Sequence, residues 1–282
     1  MISRYGRSFV LVLVGPLFLA LLLAACEPQP TPSPPASEAP AGEASAHLLV
    51  FAAASLTEAY QELGTAFEAA HPGTTVTLNF AGSQQLAQQL AQGAPADVFA
   101  SANTKQMAVA IEAGRVVSGT QQVFAHNRLV AIASVDSPAV VEGLHDLAQP
   151  GIKLVLAARE VPVGGYALDF LDKAAHDPAF GPAYREGVLN NVVSYEQTVK
   201  AVLTKVALGE GDAGVVYSSD VTASAAEKVT VIPIPDQLNT IATYPLASVS
   251  DNQHPALAQA FVAFVLSPQG QAILAEHGFI TD

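Results

Sequence analysis

Two short segments place a serine where an apolar run gives way to a helix-like one. The first is Phe51-Ala52-Ala53-Ala54-Ser55-Leu56-Thr57-Glu58, and the second is Asn79-Phe80-Ala81-Gly82-Ser83. A hydroxyl beside unpaired backbone N–H groups at a helix N-terminus is an arrangement that binds anions. Two of them, from successive strand–helix units, can face one ligand. The plainer alternative is a helix cap, since Ser55 and Glu58 have the Ser-x-x-Glu spacing of a capping box. Three later stretches have related form: Glu160-Val161-Pro162-Val163-Gly164-Gly165-Tyr166, then Tyr195-Glu196-Gln197-Thr198-Val199, then Gly209 to Asp220 with Tyr217 at a strand end. The glycines at 164 and 165 allow a close backbone approach and leave N–H groups open at a helix start. The Tyr217 hydroxyl can donate to a ligand, unless the ring is simply part of the core.

The elements that must hold these residues are read from hydrophobic period. Strands are expected at 47–53, 75–80, 97–100, 129–134, 152–157, 191–194, 214–217, 229–234 and 246–249. Helices are expected at 56–70, 84–92, 105–112, 165–175, 196–208, 255–266 and 269–277, with Gly73, Gly93 and Gly114 as stops. Alternating strands and helices imply α/β lobes with mostly parallel sheets covered by helices. Two lobes fit the length, and one large α/β domain is the alternative. No useful internal sequence repeat is visible.

Ahead of this part stands a different kind of sequence. Arg4 and Arg7 precede an apolar run that ends Leu23-Ala24-Ala25-Cys26, the layout of a secretory signal. Cysteine after Leu-Ala-Ala resembles a bacterial lipobox, so 1–25 is expected to be removed and Cys26 lipidated. A plain signal peptide or an N-terminal anchor is the alternative. Cys26 is the sole cysteine, so an intramolecular disulfide is excluded. Residues 26–46 hold six prolines among Ser, Ala, Glu and Gly, and are expected to be a disordered tether. In polyproline II form it would reach about 60 Å at about 3.1 Å per residue.

The net charge is −13, and loss of Arg4 and Arg7 leaves 10 basic against 25 acidic residues, or −15. That argues against nucleic acid and anionic lipid surfaces as partners. An anion is still bindable if local dipoles hold it. The seven histidines have no metal-ligand spacing, Gly164-Gly165 lacks the Gly-Lys-Ser/Thr of a phosphate loop, and Ser55 lacks the Gly-x-Ser-x-Gly frame of a hydrolase nucleophile. Asp97, Arg128 and Asp220 are expected to serve structure, the last two as ion-paired groups.

In order and wording these segments resemble the molybdate-binding proteins of bacterial ABC importers, a periplasmic solute-binding family. The resemblance is carried by 50–57, 79–86, 93–102, 161–166, 209–220 and the closing His277-Gly278-Phe279, and spans nearly all of 47–282. It implies a two-lobe, type II-like periplasmic-binding-protein fold, with 47–126 plus 248–282 as lobe 1 and 127–247 as lobe 2. The hinge would lie near 125–128 and 244–248. It further implies that Ser55 and Ser83 donate hydroxyl and N–H groups, that Val163 and Val199 donate backbone N–H groups, and that Tyr217 donates its hydroxyl. Val163 stands where relatives often have a smaller residue, and Glu-Gln-Thr precedes Val199, so Gly164 and Thr198 remain alternative donors. The implied ligand is molybdate, with tungstate, and molybdenum enters only as that oxyanion. The implied partners are a permease and its ATPase; no cofactor, no enzyme activity and a monomer are expected. An all-donor site suits a fully ionised oxyanion and rejects phosphate, whose retained proton needs an acceptor. Sulfate is the alternative ligand, separated from molybdate only by size, and a secreted serine hydrolase is the alternative of another class.

Overall fold

The computed structural model describes residues 46–281. The signal segment 1–25, Cys26 and the tether up to residue 45 lie outside the described residues.

The chain opens with β1 (Ala46–Ala53), a 3-10 turn (Ala54–Leu56) and α1 (Thr57–Ala70), then β2 (Thr74–Ala81), α2 (Ser83–Ala91), β3 (Val98–Ala100), α3 (Thr104–Glu112) and β4 (Gln122–Asn127). It crosses at Arg128 into β5 (Leu129–Ser134), β6 (Leu154–Ala157), α4 (Pro162–His176), α5 (Tyr184–Asn190), β7 (Val192–Glu196), α6 (Val199–Ala207) and β8 (Ala213–Tyr217). After α7 (Ala223–Ala226) and β9 (Val229–Pro233) it returns through 234–241 to β10 (Ala242–Ser248), α8 (Pro255–Val265) and α9 (Pro268–Glu276).

Two five-stranded sheets result, in the orders β2-β1-β3-β10-β4 and β7-β6-β8-β5-β9. Within each, the first two pairings are parallel and the last two antiparallel. The expected two-lobe α/β fold is therefore present, but its sheets are mixed rather than mostly parallel. The antiparallel half of each sheet contains a strand that has crossed from the other lobe, β10 in the first and β5 in the second, one place in from the edge. β10 lies wholly in the first sheet. The return crossing thus falls at 234–241 and not near 244–248, and a lobe border at 247/248 would cut this strand off from its own sheet.

β1 is central in its sheet and buried on both faces, which explains its unbroken apolar run. Val50 and Ala52 face a core shared with Tyr60, Leu63 and Phe67 of α1 and Phe261 of α8. Phe51 points the other way, onto Leu86 and Leu90 of α2 and Met107 of α3. Strand alternation thus sends successive residues to opposite helical layers. The helices begin where caps allow. Pro162, Pro255 and Pro268 open α4, α8 and α9, where a missing N–H costs nothing. Asn103 Oδ1 accepts from Gln106 N at 2.9 Å, and Thr198 Oγ1 accepts from Ala201 N at 3.1 Å.

Candidate oxyanion site

The topology sets four helix starts against one another. In the first lobe β1 and β2, and in the second lobe β6 and β7, run parallel, and each is followed at its C-terminal end by a helix. Those ends carry Ala54–Leu56 and Ser83 in the first lobe, and Pro162 and Val199 in the second. A cavity between them is lined by Ala53, Ala54 and Ser55, by Gly82, Ser83 and Ala102, by Val161 to Val163, and by Val199 and Tyr217. All five residues expected at the site are among these. The cavity leaves about 10 Å³ for the centre of a water-sized sphere, near the minimum that holds one small particle.

The donors left open there follow from helix geometry, because the first N–H groups of a helix have no partner within it. In α4 the first turn closes with Gly165 N donating to Val161 O at 3.0 Å. Pro162 has no N–H, so Val163 and Gly164 are the open donors. In α2 the first such bonds start from Gln85 and Leu86, both to Gly82 O, leaving Ser83 and Gln84. In α6 Thr198 accepts from Ala201 and Val202, leaving Val199 and Lys200. Gly164 is required at its place: a Cβ there would stand 2.1 Å from Ala158 O. Gly82 is required because a Cβ would come within 2.6 Å of Gln197 O, which belongs to the other lobe.

The hydroxyls are aimed by their own partners. Ser83 Oγ accepts from Ala102 N at 3.0 Å, which leaves its proton free. Ser55 Oγ is 3.0 Å from Tyr244 Oη. Tyr217 is 1% exposed and its hydroxyl has no hydrogen-bond partner among the described residues. Burial, then the neighbouring Tyr244, pushes its pKa well above the usual tyrosine range, so it is a protonated donor at any physiological pH. Among the described residues no charged side chain lines the cavity.

Three contacts join the lobes beside it. Gln84 Nε2 donates to Gln197 O at 3.0 Å, Gln106 Nε2 to Glu160 O at 3.1 Å, and Lys200 Nζ to Glu58. The last excludes the helix-cap alternative for Ser55. Ser55 and Glu58 do not form a capping box: α1 has no side-chain cap, and Glu58 turns to the other lobe instead. Asp97 serves structure, accepting from Leu49 N at 2.7 Å and from Gln253 N at 3.2 Å. Arg128 pairs with Asp236, and Asp220 with Lys200.

Tyr244 escaped the sequence argument. It lies in β10, far along the chain from Ser55, yet its ring packs on Tyr217 at 5.8 Å, Phe124 at 6.1 Å and Phe279 at 5.4 Å. Asn127 was missed too. It is buried at the crossing, donates to Ser219 Oγ at 2.7 Å and accepts from Ser218 at 3.0 Å and Arg128 N at 2.9 Å. An isolated Asn before a strand carries no signal of this. An aromatic inside a strand reads as core.

Residues 48–280 match the family model described as bacterial extracellular solute-binding protein. The chain belongs to that family. The molybdate-binding protein ModA of Mycobacterium tuberculosis is 38% identical over 263 residues, covering 93% of this chain and 95% of the relative. Two solved structures share the fold at 20% identity. The periplasmic molybdate-binding protein of Azotobacter vinelandii matches with a TM-score of 0.70, over 83% of this chain and 99% of its own. The sulfate-binding protein SubI of M. tuberculosis matches with a TM-score of 0.73, over 83% and 86%. At that identity they speak for the fold alone, and the fold serves both anions. As a family member the protein is an extracytoplasmic solute-binding component of an ABC importer.

Proposed function

We propose that this protein captures molybdate, and tungstate with it, for delivery to an ABC permease driven by a cytoplasmic ATPase. The observation that carries this is the convergence of open N–H and O–H donors from both lobes on a cavity with no carboxylate in its lining. Ser55, Ser83 and Tyr217 supply hydroxyls. Ser55, Ser83, Val163 and Val199 supply backbone N–H groups, with Gly164 beside Val163 as a further open donor. Four helix N-termini add their dipoles to these contacts. A dianion that only accepts hydrogen bonds satisfies every donor. A protonated phosphate oxygen would face another donor and leave a buried pair unmet. The 38% identical relative named for molybdate supports that ligand over sulfate.

No covalent chemistry is required of the residues present. A serine hydrolase would need a base within hydrogen-bond reach of Ser55; the group at that distance is the Tyr244 hydroxyl, held protonated by burial. Because residues of both lobes line the cavity, parting of the lobes would admit and release the anion. The crossings at Arg128 and 234–241 are where such a motion would bend. We further propose that Cys26 carries lipid and that 26–46 tethers the domain to the membrane, as a monomer.

Calorimetric titration of the purified protein with molybdate, tungstate, sulfate and phosphate tests the ligand. Heat with molybdate and tungstate but not sulfate is expected. Equal affinity for sulfate would overturn the named ligand, and silence with all four would overturn the donor-cradle reading. Fractionation of cells expressing Cys26→Ser tests the anchor: the variant should leave the membrane fraction, and its retention there would refute lipidation.

A further inference from the structure

Lys200 follows Val199 in the first turn of α6, and its ammonium reaches across to the other lobe. Nζ donates to both carboxylate oxygens of Glu58, at 2.9 and 2.8 Å. Glu58 sits in the first turn of α1, just past Ser55. The same Nζ is 3.5 Å from Oδ1 of Asp220, a fully buried carboxyl group in the second lobe whose Oδ1 has no hydrogen-bond partner among the described residues. Asp220 Oδ2 accepts from the backbone N–H of Tyr217 at 3.1 Å. One ammonium therefore touches the segments that carry Ser55, Val199 and Tyr217.

Helix stability does not account for this lysine. A cation in the first turn opposes the helix dipole and costs a few tenths of a kcal/mol or more. Nor does the fold of either lobe need the pair with Glu58, because that pair exists only while the lobes are together. What it does instead is tie closure to the cavity. The Lys200 side chain is 24% exposed and that of Glu58 39%, so the attraction is screened less than at an open surface. It also sets a positive charge behind a cradle otherwise built from neutral dipoles.

We propose that Lys200 is a positioning residue for ligand capture: it latches the closed lobes through Glu58 and connects that latch, through Asp220, to the Tyr217 end of the cavity. This rests on the oxyanion-capture reading above. The latch acts after encounter, so it slows escape and leaves entry unchanged. Lys200 acts through the elements it joins and not by touching the anion.

A double-mutant cycle with Glu58→Gln, Lys200→Met and the pair, followed by stopped-flow binding of molybdate, tests it. Each single change should raise the dissociation rate about two- to tenfold, the range for a partly exposed ion pair, with the association rate nearly unchanged. The double variant should be no worse than Lys200→Met alone. Lys200→Arg should keep most of the slow release. Glu58→Gln should leave the ligand-free melting temperature where it was, since open lobes do not make the contact. Additive effects in the cycle would overturn the latch, as would a loss confined to the association rate, or a Glu58→Gln variant as unstable without ligand as with it. Wild-type protein that fails to bind molybdate would overturn the capture reading first, and the latch with it. Wild-type binding with an uncoupled cycle would overturn the latch alone.

Discussion

Replacing Tyr217 by Phe removes one oxygen and keeps the ring that packs on Tyr244 at 5.8 Å. The consequences divide cleanly between ligand-bound and ligand-free protein. A hydrogen bond to a charged acceptor is worth about 1.5–3 kcal/mol net, so the Kd for molybdate should rise about 10- to 150-fold. Without ligand the hydroxyl has no protein partner among the described residues. Its removal therefore breaks no internal bond, and it relieves whatever desolvation the buried group carries. The ligand-free melting temperature should stay level or rise. Calorimetry with molybdate, set beside thermal unfolding without it, reads both arms. A Kd within threefold of wild type would refute Tyr217 as a donor to the anion. A fall of several degrees in the ligand-free melting temperature, with affinity intact, would return Tyr217 to the role of an ordinary core tyrosine.

Three further outcomes are expected. Tyr244→Phe removes the partner that orients Ser55; a neutral bond worth about 0.5–1.5 kcal/mol predicts a loss of affinity smaller than that of Tyr217→Phe, measured in the same titration. Gly164→Ala drives a methyl to 2.1 Å from Ala158 O, so α4 must shift; an overpacking cost of about 1–3 kcal/mol should appear in the ligand-free melting temperature, with weaker molybdate binding beside it. The third concerns pH. Burial raises the Asp220 pKa from 3.8 to about 7, with Lys200 opposing the rise and Glu58 adding to it; Tyr217 and Tyr244 also face this carboxyl. Between those values the folded protein holds a proton that the unfolded chain has lost, so this group's contribution to stability is full below about pH 4 and is lost as pH rises through about 7. Asp220→Asn should flatten the fall in melting temperature over that window, and an unchanged slope would refute the buried carboxyl as its source.

How much of this was legible in the sequence depends on how local each feature is. β1, β6 and β8 are buried on both faces, so their apolar runs announce them. The helix start at Ser83 lies one residue from the expected 84, whereas α6 begins at Val199 and not at 196, because Glu196 still belongs to β7. Strand direction is not local. Leu129–Ser134 and Ala242–Ser248 are apolar like their neighbours, and nothing in them says that they pair antiparallel. β4 carries no clear strand pattern, because its first two residues, Gln122 and Val123, are exposed and the strand begins as a polar stretch. In α5, seven residues with only Tyr184 and Val188 buried give too little periodicity to read. Tyr244 and Asn127 shape the site from positions whose partners are distant in sequence, and only the fold brings them there.

The two sheets show why donors and not charges assemble here. β1, β2 and β3 with α1 and α2 repeat in outline as β6, β7 and β8 with α4 and α6, yet the sequences share no visible repeat. What is common is topology. A strand running parallel to its neighbour must end beside that neighbour's end, and each end feeds a helix whose first N–H groups are open. Two such units per lobe, facing across a cleft, yield four helix starts without demanding any particular side chain. Selection then needs to act only on what would spoil the cradle. Small residues are required where backbone comes close, at Gly82 and Gly164. Hydroxyls serve where an added donor fits, at Ser55, Ser83 and Tyr217. Cations are kept one step back, at Lys200, where the charge can join the lobes without binding the anion too firmly to be released.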